Sequence, residues 1–502
     1  MNEPTLTGIF RTARVHAVLT CTTLACASLS AHAGDDRDRV IPTDVVVKLA
    51  PGTSLQSVLD ALGPLAPGLS PIDQIPGRPI HLLTFDADGA EPPPALELAI
   101  DAMVKSGTLT WGEFGYEAET GEGRTDSLWV TGVGIDSATY REQFAGELLG
   151  LDSAHDMARG AGVVVAIVDS GLAGEHPLVR NPISPAGVDL VDGVPVMRDP
   201  LDGIDNDGDG LTDEMAGHGT FVASLIGLTA PHATILPIRV LDTEGRTTVY
   251  RMAKGIAAAI DAGADVINMS VGTTYNSVAL EDLAEEAQDA GITLVASLGN
   301  LNRAAPAEHP AAASGAFAVA STTHTDHRAG FSNFGTFAWI SAPGSVHLVA
   351  GSAVDPNASV LGAVPGGQVG AWSGTSFSTA FVAGAAALIR GQHPEWPNAE
   401  VALDEIADTI MGRLAVSATP IDALNPGFEQ MLGAGRLHVA AAVALGPPVH
   451  RADLNGDRSI DGLDITALLA AWGDCDGCAG DIDANGTVEG TDLTAILAAW
   501  SR

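Results

Sequence analysis

Three polar residues in three separate segments could together activate a nucleophile. Asp169 lies in VAIVDSGL, His218 in GHGTFVASLIG and Ser376 in GTSFSTAFVAGAAALI, so their order along the chain is Asp, His, Ser. A serine hydroxyl is a poor nucleophile until a histidine accepts its proton, and the imidazole needs a carboxylate that orients it and stabilises its cation. The sequence therefore predicts serine-based nucleophilic catalysis with His218 as base and Asp169 as the orienting group.

Each of these residues also has an ordinary structural interpretation. An Asp after an apolar strand can cap the strand end, a His before a Gly can begin a helix, and a Ser before an apolar helix can be its N-cap. The three occur together, in this order and within matching flanking segments. That combination favours the catalytic interpretation.

The elements that must position these residues alternate along the chain. Between residues 125 and 446, apolar strand candidates alternate with amphipathic helices, which is typical of an α/β domain with a mainly parallel sheet and helices on both faces. Ligands of such sheets bind beyond the carboxyl ends of the strands, and Asp169, Ser270 and Asn300 fall at or just past such ends. The strand candidates are GVVVAIVDS, TILPIRV, ADVINMS, GITLVAS and GAFAVAS.

Residues 160–445 resemble the subtilisin-like serine proteases, the subtilases. The likeness includes the three motifs above and also INMSVGT, ASLGN, FSNFG, SAPG and GAGRLHVAAAV, so it covers essentially the whole domain. It implies a secreted serine endopeptidase that hydrolyses peptide bonds in protein or peptide substrates. The competing hypothesis is a catalytically silent calcium-binding surface or scaffold protein built on a protease fold.

The resemblance also implies roles for further residues. Asn300 would supply a side-chain donor to the oxyanion hole, beside the N-terminus of the helix that Ser376 begins. Two positions depart from the family pattern, Ala380 where proline is usual and Phe377 where methionine is common, which puts the rate rather than the mechanism in doubt. The groove residues, which would pair with an extended peptide backbone and so give a broad preference, are Ser270, Val271, Gly272, Ser297, Leu298 and Gly299.

The segment before this domain has the pattern of a small α+β unit. Residues 34–124, here called the front unit, contain VIPTDVVVKL, SLQSVLDAL, IHLLTF, ALELAIDAMV and LTWGEFGYEA. With the family resemblance granted, the front unit resembles the inhibitory propeptide, and TWGEFGYEA would lie in the substrate groove; an unrelated N-terminal domain is the alternative. The Gly-rich acidic stretch ETGEGRTDS suits a flexible linker or a cleavage site, and we expect self-cleavage in or near residues 116–130.

The N-terminal residues have the pattern of a secretory signal. Residues 1–33 carry Arg11 and Arg14, then the mostly apolar VHAVLTCTTLACASLS, then AHA. Small residues at the −3 and −1 positions predict cleavage near Ala33 and an extracellular or cell-surface location, with an ordinary N-terminal helix as the alternative.

Overall charge limits the partners of the chain. The formal net charge is −38 at pH 7, which would repel nucleic acid and anionic membranes and makes cations the natural partners. No other apolar run reaches the length of a membrane span, so none is expected in the mature chain.

An acidic stretch between Asp169 and His218 is a candidate calcium site. DPLDGIDNDGDGLTDE places carboxylates at alternate positions around a glycine turn, an arrangement that a hard cation favours. The spacing is not that of a full EF-hand, and a solvated acidic loop is the alternative. The candidate ligands are Asp205, Asp207, Asp209, Asp213 and Glu214.

Beyond a linker at residues 447–450, the last 52 residues contain an internal repeat. DLNGDRSIDGLDITALLAAW and DIDANGTVEGTDLTAILAAW align without a gap, and each resembles an EF-hand calcium loop with aspartate at the twelfth position, followed by one helix. We expect Leu468, Leu469, Ile496 and Leu497 to pack the two helices together. The candidate ligands are Asp453, Asn455, Asp457, Ser459, Asp461 and Asp464 in the first loop and Asp481, Asp483, Asn485, Thr487, Glu489 and Asp492 in the second.

This duplication resembles a type I dockerin. The resemblance implies that residues 451–502 bind Ca²⁺ and dock on a cohesin-like or cell-surface partner. A calcium-stapled folding unit without a partner is the alternative. Between the repeats, Cys475 and Cys478 favour a short-loop disulfide over a redox or zinc site, because no βαβ unit surrounds them and no further zinc ligands lie near.

Overall fold

The computed structural model describes most of the chain from residue 39 onward. The predicted signal peptide and the linker at residues 447–450 lie outside the described residues. The first described part comprises residues 39–445, except for 88, 90, 126, 128, 133, 194–197, 206–209, 211, 350–352 and 397–408. The second comprises residues 452, 454, 460–475, 478, 480–482 and 486–500.

The front unit is an antiparallel sheet with two helices on one face. Alternation along its first strand explains the arrangement, because Val45 and Val47 pack into a core with the helices whereas Val46 faces the other way. The strand order is β2-β3-β1-β4. Its elements are β1 (Val40–Leu49), α1 (Leu55–Leu62), β2 (Ser70–Gln74), β3 (Ile80–Thr84), α2 (Pro94–Lys105) and β4 (Leu109–Glu119).

The larger domain is built on a seven-stranded, fully parallel sheet, as the alternating pattern predicts. The five strand candidates form β5, β7, β9, β10 and β11, and the order across the sheet is β12-β11-β10-β9-β5-β7-β6. The strands of this domain are β5 (Val164–Asp169), β6 (Val188–Asp189), β7 (Thr234–Arg239), β8 (Arg246–Thr248), β9 (Val266–Met269), β10 (Thr293–Ser297), β11 (Ala316–Thr322), β12 (Ile340–Pro343), β13 (Leu348–Val349), β14 (Ala353–Val354), β15 (Leu361–Val364) and β16 (Gln368–Ala371).

Helices cover both faces of this sheet. One face packs against α6 and α9 and the other against α7 and α8, each through its own hydrophobic cluster. The helices are α3 (Ser137–Arg141), α4 (Phe144–Leu149), α5 (Leu151–His155), α6 (His218–Thr229), α7 (Val249–Asp261), α8 (Val278–Asp289), α9 (Thr375–Gln392), α10 (Ile410–Val416) and α11 (Val439–Ala444).

The front unit docks on α7 and α8 through the sheet face that its own helices leave uncovered. Val46, Ile80 and Trp111 belong to the same buried cluster as residues of those two helices. Ion pairs surround this apolar contact: Lys48 Nζ lies 2.6 Å from Asp282 Oδ1, and Arg78 contacts Asp261 and Glu286. The front unit therefore shares a core with the larger domain and is not an independent appendage.

The C-terminal module contains α12 (Gly462–Ala470), β17 (Gly473–Asp474), β18 (Thr487–Val488) and α13 (Gly490–Trp500). Leu468 and Ile496 are buried between the helices, as expected, but Leu469 is 55% exposed and Leu497 50% exposed. The expectation for those two residues is wrong, because neighbouring residues on a helix point about 100° apart and only one of each pair can face the partner helix. Cys475 and Cys478 form a disulfide.

Candidate active site

The structure brings Asp169 and His218 into direct contact from two elements. Asp169 is the last residue of β5 and His218 the first residue of α6, and both are fully buried. His218 Nδ1 lies 2.7 Å from Asp169 Oδ1, and the Ser170 N–H donates to the same oxygen. This geometry orients the imidazole with Nε2 free to face a third group.

Ser376 is the second residue of α9, the helix that passes through the centre of the domain. The sequence predicts a helix beginning at Ser376, and it begins one residue earlier, at Thr375. Phe377 packs beside the imidazole of His218, with ring centroids 5.5 Å apart, and Trp372 meets the same ring at 5.4 Å. The nucleophile candidate is thereby held next to the base candidate by aromatic packing.

Asn300 follows β10 and is locked by α9. Its Oδ1 accepts hydrogen bonds from the Thr375 N–H and hydroxyl, at 2.9 Å and 2.8 Å. The side-chain amide N–H groups are therefore directed into the space beside Ser376. This is the arrangement expected of an oxyanion-hole donor.

Glu122, which the sequence analysis did not single out, occupies this space. Its fully buried carboxylate accepts hydrogen bonds from Ser376 Oγ at 2.8 Å and from Asn300 Nδ2 at 3.0 Å. His218 Nε2 lies 3.3 Å from the same Oε2 that Ser376 contacts. Gly374 makes room for it, because a Cβ atom there would clash with Glu122 Oε1.

Residues 119–125 of the ETGEGRTDS segment are therefore not a solvated linker. Glu119, Glu122 and Arg124 are each at most 5% exposed, and Gly123–Thr125 form a short 3₁₀ turn within the cleft. The prediction of a flexible linker is wrong because it rested on the polar composition of the segment. Composition does not reveal that a cleft of the folded chain buries these residues. The only sequence signal for a role of Glu122 at the site was its position inside the expected cleavage window, residues 116–130.

The charges around His218 favour its protonated form. Burial disfavours the imidazolium, but the carboxylates of Asp169 and Glu122 outweigh it and raise the pKa of His218 to about 10. With Glu122 in place, the base candidate is held as a cation. A cationic imidazole cannot accept the proton of Ser376.

Asp199 links the segment that contains Asp169 to the segment that contains His218 through hydrogen bonds. Its carboxylate accepts hydrogen bonds from Ser170 Oγ, from the Gly217 N–H, and from the Thr220 N–H and hydroxyl. Burial raises the pKa of Asp199, although these donors oppose the shift. Because Ser170 follows Asp169 and the other donors flank His218, Asp199 fixes the start of α6 against the end of β5.

The end of the front unit runs through a groove as an added strand. Residues 117–119 of β4 pair antiparallel with β8, and Glu119 also exchanges backbone hydrogen bonds with Gly272 on the other side, at 3.3 Å and 3.4 Å. The Thr120 N–H then donates to the Gly245 carbonyl. Only this end of TWGEFGYEA enters the groove, since the earlier part of β4 pairs with β1.

The predicted groove residues contribute mainly through their backbone. Gly272 pairs with Glu119, the Ser270 carbonyl accepts a 3.3 Å hydrogen bond from Ser376 Oγ, and Ser297 and Gly299 lead to Asn300. Val271 and Leu298 also lie on these segments, but their side chains are buried in the core behind the groove. These two side chains are therefore not groove-lining.

The acidic stretch before His218 is only partly described. Asp207 and Asp209 lie outside the described residues, while Asp213 accepts hydrogen bonds from the Asp202 and Gly203 N–H groups, and Asp205 accepts one from Gly210. Glu214 is half-buried, with its Oε2 atom inaccessible to solvent. Within the described part of the chain, no three His, Cys, Asp or Glu side chains are arranged to hold a metal ion.

In the C-terminal module, the two loops fold alike around their last carboxylate. Asp464 and Asp492 are fully buried, and each accepts hydrogen bonds from the N–H groups at the second and ninth positions of its own loop. Asp461, Asp481, Thr487 and Glu489 are also described. The other candidate ligands, Asp453, Asn455, Asp457, Ser459, Asp483 and Asn485, lie outside the described residues.

The parallel sheet with helices on both faces and the site of Asp169, His218 and Ser376 are features of a serine protease, and comparisons with known proteins agree. The Subtilase family model matches residues 160–435, so the chain belongs to the subtilase family, whose members are serine endopeptidases. Among the described residues, no helix is long and apolar enough to cross a membrane.

Individual relatives support the same assignment. The chain is 34% identical over 280 residues to thermitase from Thermoactinomyces vulgaris, which covers 54% of this chain and 90% of thermitase. It is 34% identical over 249 residues to subtilisin E from Bacillus subtilis, which covers 48% of this chain and 59% of subtilisin E. The chain thus spans most of thermitase and somewhat more than half of this subtilisin.

Solved structures share the fold. A protease from Pseudoalteromonas arctica matches with a TM-score of 0.51 and 27% identity, covering 62% of this chain and 98% of that one. Fervidolysin from Fervidobacterium pennivorans, described as a keratinolytic enzyme related to subtilisin, matches with a TM-score of 0.60 over 83% of this chain and 63% of its own. At 20% identity, the match to fervidolysin supports the fold alone.

Proposed function

We propose that this subtilase is a secreted serine endopeptidase in which Ser376 attacks the peptide carbonyl. His218 accepts the Ser376 proton and later returns it to the leaving amine, while Asp169 holds the imidazole in the required orientation. Asn300 Nδ2 and the N-terminus of α9 stabilise the negative charge that develops on the carbonyl oxygen. Water then attacks the acyl-enzyme with His218 again as base.

One observation carries this proposal most directly. One oxygen of the Glu122 carboxylate accepts a hydrogen bond from Asn300 Nδ2, the proposed oxyanion donor, and the other accepts one from Ser376 Oγ, the proposed nucleophile. The site therefore has donors that favour negative charge beside the nucleophile, in a dry environment where such interactions are strong. A protease fold retained only for binding would not need these donors.

The front unit supports synthesis as a zymogen. Its end already lies in the groove as a substrate-like strand, and its sheet shares a buried cluster with α7 and α8. We infer that it blocks the cleft until the chain is cut. The pattern of residues 1–33 supports export before that step.

The C-terminal module is proposed to bind calcium and to dock. The described residues fit a hard cation: carboxylates are the preferred oxygen ligands, and Gly486 supplies the left-handed turn at the sixth position with φ of 92°. Bound Ca²⁺ would offset the repulsion between the carboxylates of each loop. Exposed Leu469, Leu497 and Trp500 on its helices, and exposed Trp472 just after α12, are consistent with a protein partner such as a cohesin-like domain.

The calcium proposal is tested on the full-length chain carrying Ser376→Ala. Calorimetry should detect at least two calcium ions, and the double substitution Asp464→Ala and Asp492→Ala should remove two of them. Any remaining site would report on the stretch at residues 202–214. If the double variant binds as many ions as its parent, the C-terminal loops are not the sites. If the module binds calcium but its deletion leaves cell-surface retention unchanged, it stabilises without anchoring.

Hydrolysis itself separates the enzyme from the silent scaffold. The matured chain should cleave an unfolded protein substrate, and Ser376→Ala should abolish this. Asn300→Ala should lower kcat by about 10²- to 10³-fold, the loss known for the corresponding donor of a subtilisin. An exported, processed chain that cleaves nothing, with circular dichroism showing it folded, would favour the scaffold.

A further inference from the structure

A buried carboxylate outside the proposed triad lies beneath the substrate groove. Glu308 is 2% exposed, and Asn333 Nδ2 donates to its Oε1 at 3.2 Å. A Cβ atom at Gly299 would clash with Glu308 Oε1, and one at Gly272 would lie 2.9 Å from Oε2. Two glycines on opposite walls of the groove therefore leave room for this one carboxylate.

The pocket above Glu308 adjoins the reacting atoms. Gly272 is two residues from Ser270, whose carbonyl accepts a hydrogen bond from Ser376 Oγ, and Gly299 directly precedes Asn300. A peptide whose carbonyl sits between Ser376 and Asn300 would place the side chain of that same residue between these two walls. The pocket is thus positioned for the residue on the N-terminal side of the cleaved bond.

In the uncleaved chain a cation reaches this pocket. Arg124 is 5% exposed, and its Nη2 donates to the Gly272 carbonyl at 2.9 Å. Gly272 is thus approached by the guanidinium of Arg124 and by the carboxylate of Glu308. Burying a cation is costly unless acceptors and negative charge compensate it, so the pocket is chemically suited to a basic side chain.

We propose that Glu308 is a specificity-determining residue that selects lysine or arginine immediately before the cleaved bond, and that Arg124 occupies its pocket in the precursor. The inference rests on the proposed peptidase function and narrows the broad preference that backbone pairing alone implies. A neutral side chain would leave the Glu308 carboxylate buried without its cation, which disfavours such substrates. The backbone contacts of the groove remain common to all substrates.

The test compares substrates that differ at one residue. Peptide anilides ending in Arg, Lys, Gln or Met, with identical preceding residues, are assayed with enzyme matured from the full chain. The wild type should favour Arg and Lys over Gln and Met by about 30-fold or more in kcat/KM. Glu308→Gln should lose most of this preference because its kcat/KM for the Arg and Lys substrates falls. Its kcat/KM for the Met substrate should stay within about threefold of the wild-type value.

Two variants and one independent readout keep the result interpretable. Glu308→Asp keeps the charge and should keep a basic preference, and Glu395→Gln, whose side chain is 68% exposed, should match the wild type. The rate of fluorophosphonate labelling of Ser376, which does not use the pocket, shows that each variant is folded and active. A wild type that cleaves Arg and Met substrates equally overturns the inference, as does a labelled Glu308→Gln that retains the basic preference. Absence of both cleavage and labelling in the wild type would instead overturn the peptidase function.

Discussion

The Glu122 carboxylate lies 2.8 Å from the Ser376 hydroxyl and accepts its hydrogen bond. An acidic side chain from the segment that ends the front unit thus takes the position that a reacting carbonyl would need. Together with Asp169, the same carboxylate raises the pKa of His218 and favours its cation, so Glu122 acts on both the nucleophile and the base. We therefore expect charge, as well as occupation of the groove, to inhibit the uncleaved chain.

Removing this charge should loosen the inhibition. In Glu122→Gln, one of the two carboxylates that stabilise the imidazolium is lost while Asp169 remains, so we expect the pKa of His218 to fall and Ser376 to regain a base. We expect the uncleaved chain to process itself and react with a fluorophosphonate about tenfold faster or more. Glu117→Gln, at an exposed position of β4, is the control. Equal rates for both variants would show that occupation alone inhibits.

The position of self-cleavage can be narrowed. Glu119 pairs with Gly272, Thr120 with Gly245, and a Cβ atom at Gly121 would lie 2.7 Å from Asn300 Nδ2, so the chain reaches the catalytic residues between Gly121 and Arg124. We expect the mature N-terminus at one of residues 122–125. N-terminal sequencing of the processed wild type measures this, with Ser376→Ala expected to remain uncut. A start elsewhere, or equal processing of Ser376→Ala in a purified translation system, would contradict self-cleavage at this site.

Release of the front unit should depend on pH through Glu113. This β4 carboxylate caps α8 by accepting hydrogen bonds from Ser277 Oγ and from the Val278 and Ala279 N–H groups, yet burial dominates and raises its pKa to about 7. Exposure on release would return the pKa towards its ordinary value of 4.5. The docked state therefore binds more protons between these values.

It follows that docking is strongest below pH 4.5 and weakens as pH rises to about 7, by at most about tenfold per pH unit. Burial and the charge of Glu113 raise the pKa values of Tyr116 and Tyr275, which stay neutral throughout. Dissociation of the cleaved front unit after a pH jump measures the effect. Glu113→Gln should flatten the profile and Glu117→Gln should not; an unchanged profile in Glu113→Gln would assign the dependence to another group.

Asp199 should affect catalysis through position and not through contact with substrate. Asp199→Asn removes one of two acceptor oxygens and leaves donors at the start of α6 unsatisfied, so His218 should shift relative to Asp169. We expect kcat to fall by roughly 10- to 100-fold with KM little changed. Exposed Asp152→Asn is the control. A change confined to KM would argue against this positioning role.

Much of the fold was predictable because its signals are local. Each strand of the central sheet is a short apolar run, and Asp169, His218 and Ser376 lie at or beside element ends that those runs define. Glu122 was not predictable, because its contact with Ser376 joins residues 254 positions apart and depends on how the front unit docks. Glu308 and Asp199 escaped notice for the same reason: a single acid in a loop has no spacing to mark it.

The most direct test of the central claim is covalent labelling of Ser376. A fluorophosphonate reacts only with a serine activated by a neighbouring base, so it reads the proposed triad without reference to any substrate. Peptide mass spectrometry should find one adduct, on Ser376, in the matured wild type, little in the uncleaved chain, and none in Ser376→Ala. A matured, folded wild type that acquires no adduct at Ser376 would contradict the assignment of this residue as the nucleophile.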